Sequence, residues 1–141
     1  MGIDLAWSCD AAGETNWGSA SNTCDEAAVP TSADDVFFDG VGTGANDSTA
    51  NVDTTINSLD MNGYANTLTM NSAVDLTIDG NGVVSRLAAG MTFTLNTNAK
   101  VLFTGTSGTT IVTSAGKVMP AVTFNGTGGT WQLADALAAT G

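Results

Sequence analysis

The sequence predicts an all-β domain, a β-solenoid of stacked rungs behind an N-terminal cap, with a β-sandwich or jelly roll as the alternative. Three observations carry this. Short runs alternate apolar and polar residues, the runs recur at near-nine-residue intervals, and Gly, Asn and Thr interrupt almost every window that could otherwise be helical.

Taken in order, Val36 and Phe38 form the first run, entered through Pro30, whose fixed φ and missing N–H suit the start of a strand. Leu59/Met61 and Leu68/Met70 follow, then Val74/Leu76/Ile78, which puts Asp75, Thr77 and Asp79 on the opposite face. Phe93/Leu95, Val101/Phe103, Val122/Phe124 and Trp131/Leu133 repeat the pattern, with turn signals at Asn62-Gly63, Gly80-Asn81-Gly82, Gly105 and Asn125-Gly126. Leu59 to Leu68 is nine residues, Leu68 to Leu76 eight, and Phe93 to Leu102, Leu102 to Ile111 and Val122 to Trp131 nine each. Three such faces make a rung of about 27 residues, so the chain holds about four rungs. Tight hairpin signals are scarce between the runs, which favours a coil. The absence of a constant motif keeps the sandwich open. Helical spacing survives only in residues 83–89 and 133–139.

The 141 residues suit one domain. Residues 1–40 read as a cap containing the Cys pair and 41–141 as β-repeats, a fragment of a longer repeat protein whose last rung is left uncapped. Leu, Ile, Val and Phe total only 29, while Gly, Thr, Asn and Ser total 61. That composition borders on disorder, and the regular placement of the few large side chains decides for order.

The net charge is −11, and thirteen of the fourteen acids lie between Asp4 and Asp79, where there is no Lys or Arg. Nucleic acid and anionic membrane surfaces are excluded as partners, because both need cations to replace counterions. No membrane span is expected, since no block of 18 apolar residues occurs. The lack of histidine removes His-based triads and H-E-x-x-H zinc sites. Cys9 and Cys24 read as a local disulfide, worth about 3 kcal/mol by loop entropy, or as two free structural thiols. A disulfide fits an extracellular, cell-surface or virion-surface location.

Trp7, Asn16-Trp17, Asn22 and the run from Val29-Pro30 through Asp34-Asp35-Val36-Phe37-Phe38 precede Thr/Gly/Asn-rich repeats such as Val122-Thr123-Phe124-Asn125-Gly126. This arrangement resembles the N-terminal cap and β-repeats of autotransporter-like adhesins and tailed-phage fibre or virion surface proteins. In that pattern a second Trp often follows the second Asn, whereas here Thr23 and Cys24 follow Asn22. The resemblance implies a non-enzymatic structural or adhesive module, a phage fibre, spike or capsid-surface element or a bacterial surface protein. Its partners would be further copies of itself, a trimer in a fibre, or other virion or surface proteins. It brings no catalytic residue.

Other chemistries are candidates on single features. Asp34, Asp35 and Asp39 are the densest acid cluster and could hold calcium, though solvated strand-end acids are the simpler and favoured explanation. Tyr64 and Phe37 are the candidate aromatics for stacking on surface glycans in a carbohydrate-binding module. Asp75 and Asp79 share a strand face as a weak acid–base pair, the starting point for a polysaccharide-cleaving β-helix. Thr67/Thr69, Thr92/Thr94 and Thr104/Thr106 resemble the Thr-x-Thr pairs of ice-binding solenoids, but their unequal separations define no row, and β-propensity accounts for them. No residue is assigned a catalytic role.

Overall fold

A computed structural model of the chain describes residues 29–38 and 47–140. The described residues contain strands and no helix. After β1 (Asp35–Phe37), the first rung comprises β2 (Ser48–Ala50), β3 (Thr54–Ile56) and β4 (Ser58–Asp60). The second comprises β5 (Thr67–Met70), β6 (Asp75–Ile78) and β7 (Val84–Arg86), and the third β8 (Thr92–Leu95), β9 (Lys100–Phe103) and β10 (Thr109–Thr113). In the fourth, β11 (Val118–Met119), β12 (Ala121–Phe124) and β13 (Thr130–Leu133) lead to β14 (Ala138–Ala139).

Strands pair only with their equivalents one rung away, always in parallel. The sheets run β1-β4-β7-β10-β13, β3-β6-β9-β12 and β2-β5-β8, with β11-β14 continuing the third side. The sandwich alternative needs antiparallel partners and is thereby excluded. The rungs are unequal in length: register sets Ser48 against Leu68, Leu68 against Phe93, Val84 against Ile111 and Thr110 against Trp131, so the middle rungs are longer than the first and last. The two segments with helical spacing are also β: residues 84–86 form β7, and residues 133–139 hold the end of β13 and all of β14. Once a neighbouring rung offers a ladder, local spacing loses to tertiary pairing.

The core is a set of columns along the coil axis. On the four-stranded sheet Ile56, Ile78, Phe103 and Phe124 stack in register, as do Thr54, Leu76, Val101 and Val122. The five-stranded sheet contributes Val36 over Leu59, then Ser85, Val112 and Leu133. The third adds Ser48, Leu68 and Phe93 beside Ala50, Met70 and Leu95. Because each strand buries one side only, few large residues fill this narrow interior. A void of about 10 Å³ lined by Leu59, Leu76, Ser85, Phe93 and Val112 lies within it. That is at the lower limit for a single water, too small for a ligand.

Corners are built from backbone. Between the four- and five-stranded sheets, Gly80, Gly105 and Gly126 lie on successive rungs, and a Cβ on any of them would strike a carbonyl oxygen of the rung before: Asn57, Gly80 and Gly105 respectively. Asn51, Asn71 and Asn96 each follow the last register pair of the third sheet, and the Asn71 and Asn96 N–H groups donate to Ala50 and Met70 of the preceding rung. At the same point in the fourth rung Pro120, which is buried, has no N–H to offer.

Candidate functional site

The widest outer surface is that of the five-stranded sheet. Period-two alternation points Phe37, Asp60, Arg86 and Thr113 outward in one row, with register pairing Phe37 to Asp60, Asp60 to Arg86 and Arg86 to Thr113. A second row holds Asp35, Ser58, Val84, Ile111 and Gln132. Phe37 is 54% exposed on β1, and Val84, two strands away on β7, is exposed in the second row.

Arg86 grips Asp60 with both ends of its fork, Nε to Oδ1 and Nη2 to Oδ2, each at 2.6 Å. The Asn62 N–H adds a third donor to Oδ1 at 2.9 Å. The Arg86 hydrogen bonds hold the Asp60 carboxyl below the usual carboxylate range, against the opposing effect of burial, and raise the guanidinium in return. An aromatic ring thus sits in line with an oriented ion pair on a flat sheet, an arrangement that offers stacking and directional hydrogen bonds to one elongated ligand.

The remaining acids have a different use. The Asp47 carboxylate accepts the N–H of Thr67, the first residue of β5, at 2.8 Å, and Asp53 accepts that of Asp75, the first of β6, at 2.9 Å. The Thr104 hydroxyl donates to Asp79 at 2.7 Å, and the Thr106 and Ser107 N–H groups share Asn81 Oδ1 at 2.7 and 2.8 Å. Asp135 receives the Ser114 and Ala115 N–H groups at 2.9 and 2.7 Å. In each case the partners are one rung apart. The side chains close the donors that a corner leaves open, a need that follows from the cost of an unmade backbone bond. Much of the acidity in residues 47–79 is therefore structural.

The acids expected as a calcium cluster divide. Asp34 turns back on Thr31, accepting its N–H and its hydroxyl at 2.8 Å each, and Asp35 accepts from Asn57 Nδ2 at 2.8 Å and from the Ser58 hydroxyl. Asp39 lies outside the described residues, as do Cys9 and Cys24. Among the described residues no three Asp, Glu, Cys or His side chains gather where an ion could be held. Tyr64 corrects an expectation: it is 4% exposed, packed edge-on against Phe38 with ring centroids 5.3 Å apart, and its hydroxyl donates to the Thr67 carbonyl at 3.0 Å. Its position after Gly63 in the corner points it inward, where burial pushes its hydroxyl up from the ordinary value. Of the two aromatics expected to stack on glycans, only Phe37 is on the surface.

Asp75 opens β6 and Asp79 follows its last residue. Four residues along an extended chain is about 13 Å, wider than the separations glycosidases use. Asp75 faces Lys100 in register, and Asp79 is held by Thr104. The Thr-x-Thr rows are more regular than their spacing implied. The step from Thr67 to Thr92 is one full rung, so Thr67 and Thr69 lie directly over Thr92 and Thr94, with Thr49 preceding Thr69. Thr104 and Thr106 belong to a different corner.

The shifted carboxylates set a pH expectation. Asp34, Asp60 and Asp135 are all lowered, chiefly by the hydrogen bonds of Thr31, Arg86 and Ser114. A lowered folded-state pKa contributes stability above the unfolded value near 3.8, and this stability is lost as pH falls through the folded value. Thermal unfolding followed by circular dichroism should therefore show a flat Tm from about pH 8 to 5 and a decline below about pH 4. Asp135→Asn should flatten that decline in part, since the amide oxygen still accepts but no longer titrates.

No helix among the described residues is long and apolar enough to cross a membrane. No protein-family model matches the chain, and no curated protein or solved structure matches it.

Proposed function

We propose that the chain is a non-enzymatic structural or adhesive module of a surface protein, on a phage virion or a bacterial cell. The observation that carries this reading is the use of the charged groups. Asp47, Asp53, Asp60, Asp79 and Asp135 each serve a rung-to-rung bond, so acids that could have supplied general acid–base chemistry are committed to holding the coil together. A stack of short parallel strands with corners clipped in this way is suited to transmit load and present flat faces at a distance.

The competing polysaccharide-cleaving reading is tested by incubating the protein with acidic and neutral polysaccharides in the presence of calcium. No new reducing ends and no unsaturated products are expected, and either product overturns the proposal.

Adhesion through glycans is the second reading, and the exposed Phe37 ring in register with the Asp60–Arg86 pair favours it. On a glycan array, Phe37→Ala should weaken whatever binding the parent shows by about tenfold, equivalent to ~1.4 kcal/mol. A parent protein that binds no glycan sinks this second reading and leaves the structural role.

A further inference from the structure

We infer that Asn62 is a site of spontaneous covalent modification, where the side-chain amide is lost and the main chain is rerouted through an isoaspartyl link beside the Asp60–Arg86 pair. In an Asn-Gly pair the glycine main-chain nitrogen can attack the asparagine Cγ. A C–N bond forms, the main-chain nitrogen gives up its proton, and the amide nitrogen leaves with it as ammonia. Water, the only co-reactant, then opens the resulting five-membered ring at either carbonyl, to Asp or to isoAsp. Ring closure needs an asparagine side chain free to turn and a glycine nitrogen that is not engaged elsewhere.

The chain contains three such pairs, Asn62-Gly63, Asn81-Gly82 and Asn125-Gly126, and the fold treats them differently. Asn62 and Gly63 are exposed in the corner between β4 and β5. Neither the Asn62 side chain nor the Gly63 N–H makes a hydrogen bond among the described residues; the turn is closed around them, by the Tyr64 N–H on the Met61 carbonyl at 3.0 Å. Asn81 is pinned instead. Its Oδ1 accepts the Thr106 and Ser107 N–H groups at 2.7 and 2.8 Å, which hold it on the following rung, and ring closure requires it to turn back to the Gly82 nitrogen. At Asn125 the main chain is the obstacle, because the Asn125 N–H is bonded to the Phe103 carbonyl and Gly126 lies against the Gly105 carbonyl oxygen.

The position gives the reaction a structural consequence. The Asn62 N–H donates to Asp60 Oδ1 at 2.9 Å, the same oxygen that receives Arg86 Nε. Either product adds a carboxylate two residues from Asp60. The isoaspartyl product also adds one main-chain atom immediately before Gly63, where the turn has Gly63 at a φ of 91° and leads into the buried Tyr64. A lengthened turn no longer matches both the Tyr64-to-Met61 bond and the packing of the Tyr64 ring on Phe38. The inference is independent of the proposed surface role.

The test incubates the whole chain, folded and urea-unfolded, in mildly alkaline buffer. Peptic peptides are then mapped by mass spectrometry with electron-transfer fragmentation, which locates each lost amide and separates Asp from isoAsp. In the folded chain Asn62 should convert at close to its unfolded rate. Asn81, which must first break two backbone hydrogen bonds, should fall at least about tenfold below its own unfolded rate, and Asn125 should also fall. Asn62→Gln, which would need a six-membered ring, should remove the early release of ammonia. The isoaspartyl fraction, isolated by anion exchange, should exchange the Tyr64 N–H faster than the parent and faster than Asn62→Asp, which carries the charge without the added atom. Conversion in the folded chain that is faster at Asn81 or Asn125 than at Asn62 overturns the proposal. So does equal protection of Asn62 and Asn81 by folding, or an isoaspartyl fraction whose Tyr64 N–H is as protected as the parent's.

Discussion

Gly105→Ala should destabilise the domain by about 3 kcal/mol or more, while Gly90→Ala should change its stability by less than about 1 kcal/mol. Both glycines sit at corners, and the difference lies in what a methyl group would meet. At Gly105 the added Cβ would overlap the carbonyl oxygen of Gly80 on the preceding rung, closer than the 3.0 Å that real Cβ atoms keep. That oxygen belongs to backbone flanked by rung-to-rung bonds, among them Thr104 N–H to Ile78 and Gly80 N–H to Asn57, so it cannot yield without parting two rungs. At Gly90 the nearest atoms are Ala65 Cβ and the Tyr64 carbonyl at 3.8 Å, ordinary contact, and the backbone is outside the left-handed region. Removing a glycine there lowers unfolded-state entropy without strain. Urea denaturation of the two variants measures the difference directly. Equal effects would mean that the corner of the third rung is looser than its geometry implies.

The same glycines show where the fold could be read from sequence and where it could not. The runs around Leu68, Leu76, Phe93, Val101 and Val122 alternate over several residues and contain large apolar side chains, so period two is plain and each is a strand in the structure. β2 and β3 carry no such signal, because Ser48, Ala50 and Thr54 fill three of their four inward positions. Small or hydroxyl-bearing residues at these inward positions erase the hydrophobic contrast, and the larger Ile56, Leu59 and Met61 fill the rest of that rung. β7 misleads in the other direction: Val84 is exposed while Ser85 faces the axis over Val112. Register inherited from the neighbouring rungs decides which of two adjacent residues turns inward.

The repeat itself is legible once the strands are laddered. Phe103-Thr104-Gly105-Thr106 and Phe124-Asn125-Gly126-Thr127 are the same corner on successive rungs, and Thr-x-Asn recurs at Thr49 to Asn51, Thr69 to Asn71 and Thr94 to Asn96. The unequal rung lengths hide both from any search at one fixed period. The outer-face row is harder still. Asp60 and Arg86 lie a full rung apart along the chain and meet only because their strands are laddered, and nothing in either residue's sequence neighbourhood marks the pair. Tyr64 is unreadable for a related reason: a Tyr after Asn-Gly has the local look of an exposed turn, and only the corner's inward bend buries it.

Phe103→Ala should cost about 3–5 kcal/mol and Phe124→Ala about 1–2 kcal/mol when both are measured at low micromolar protein. The two rings occupy one column, stacked at 5.2 Å with an interplanar angle of 18°. Phe103 is 1% exposed and has a rung on either side, so its loss empties a closed space and weakens two nearest-neighbour interfaces. Among the described residues Phe124 has a rung on one side only, and at 37% exposure water can fill the space its ring leaves. Urea denaturation of the two variants measures the inequality, and equal costs would mean that Phe124 is as enclosed as Phe103.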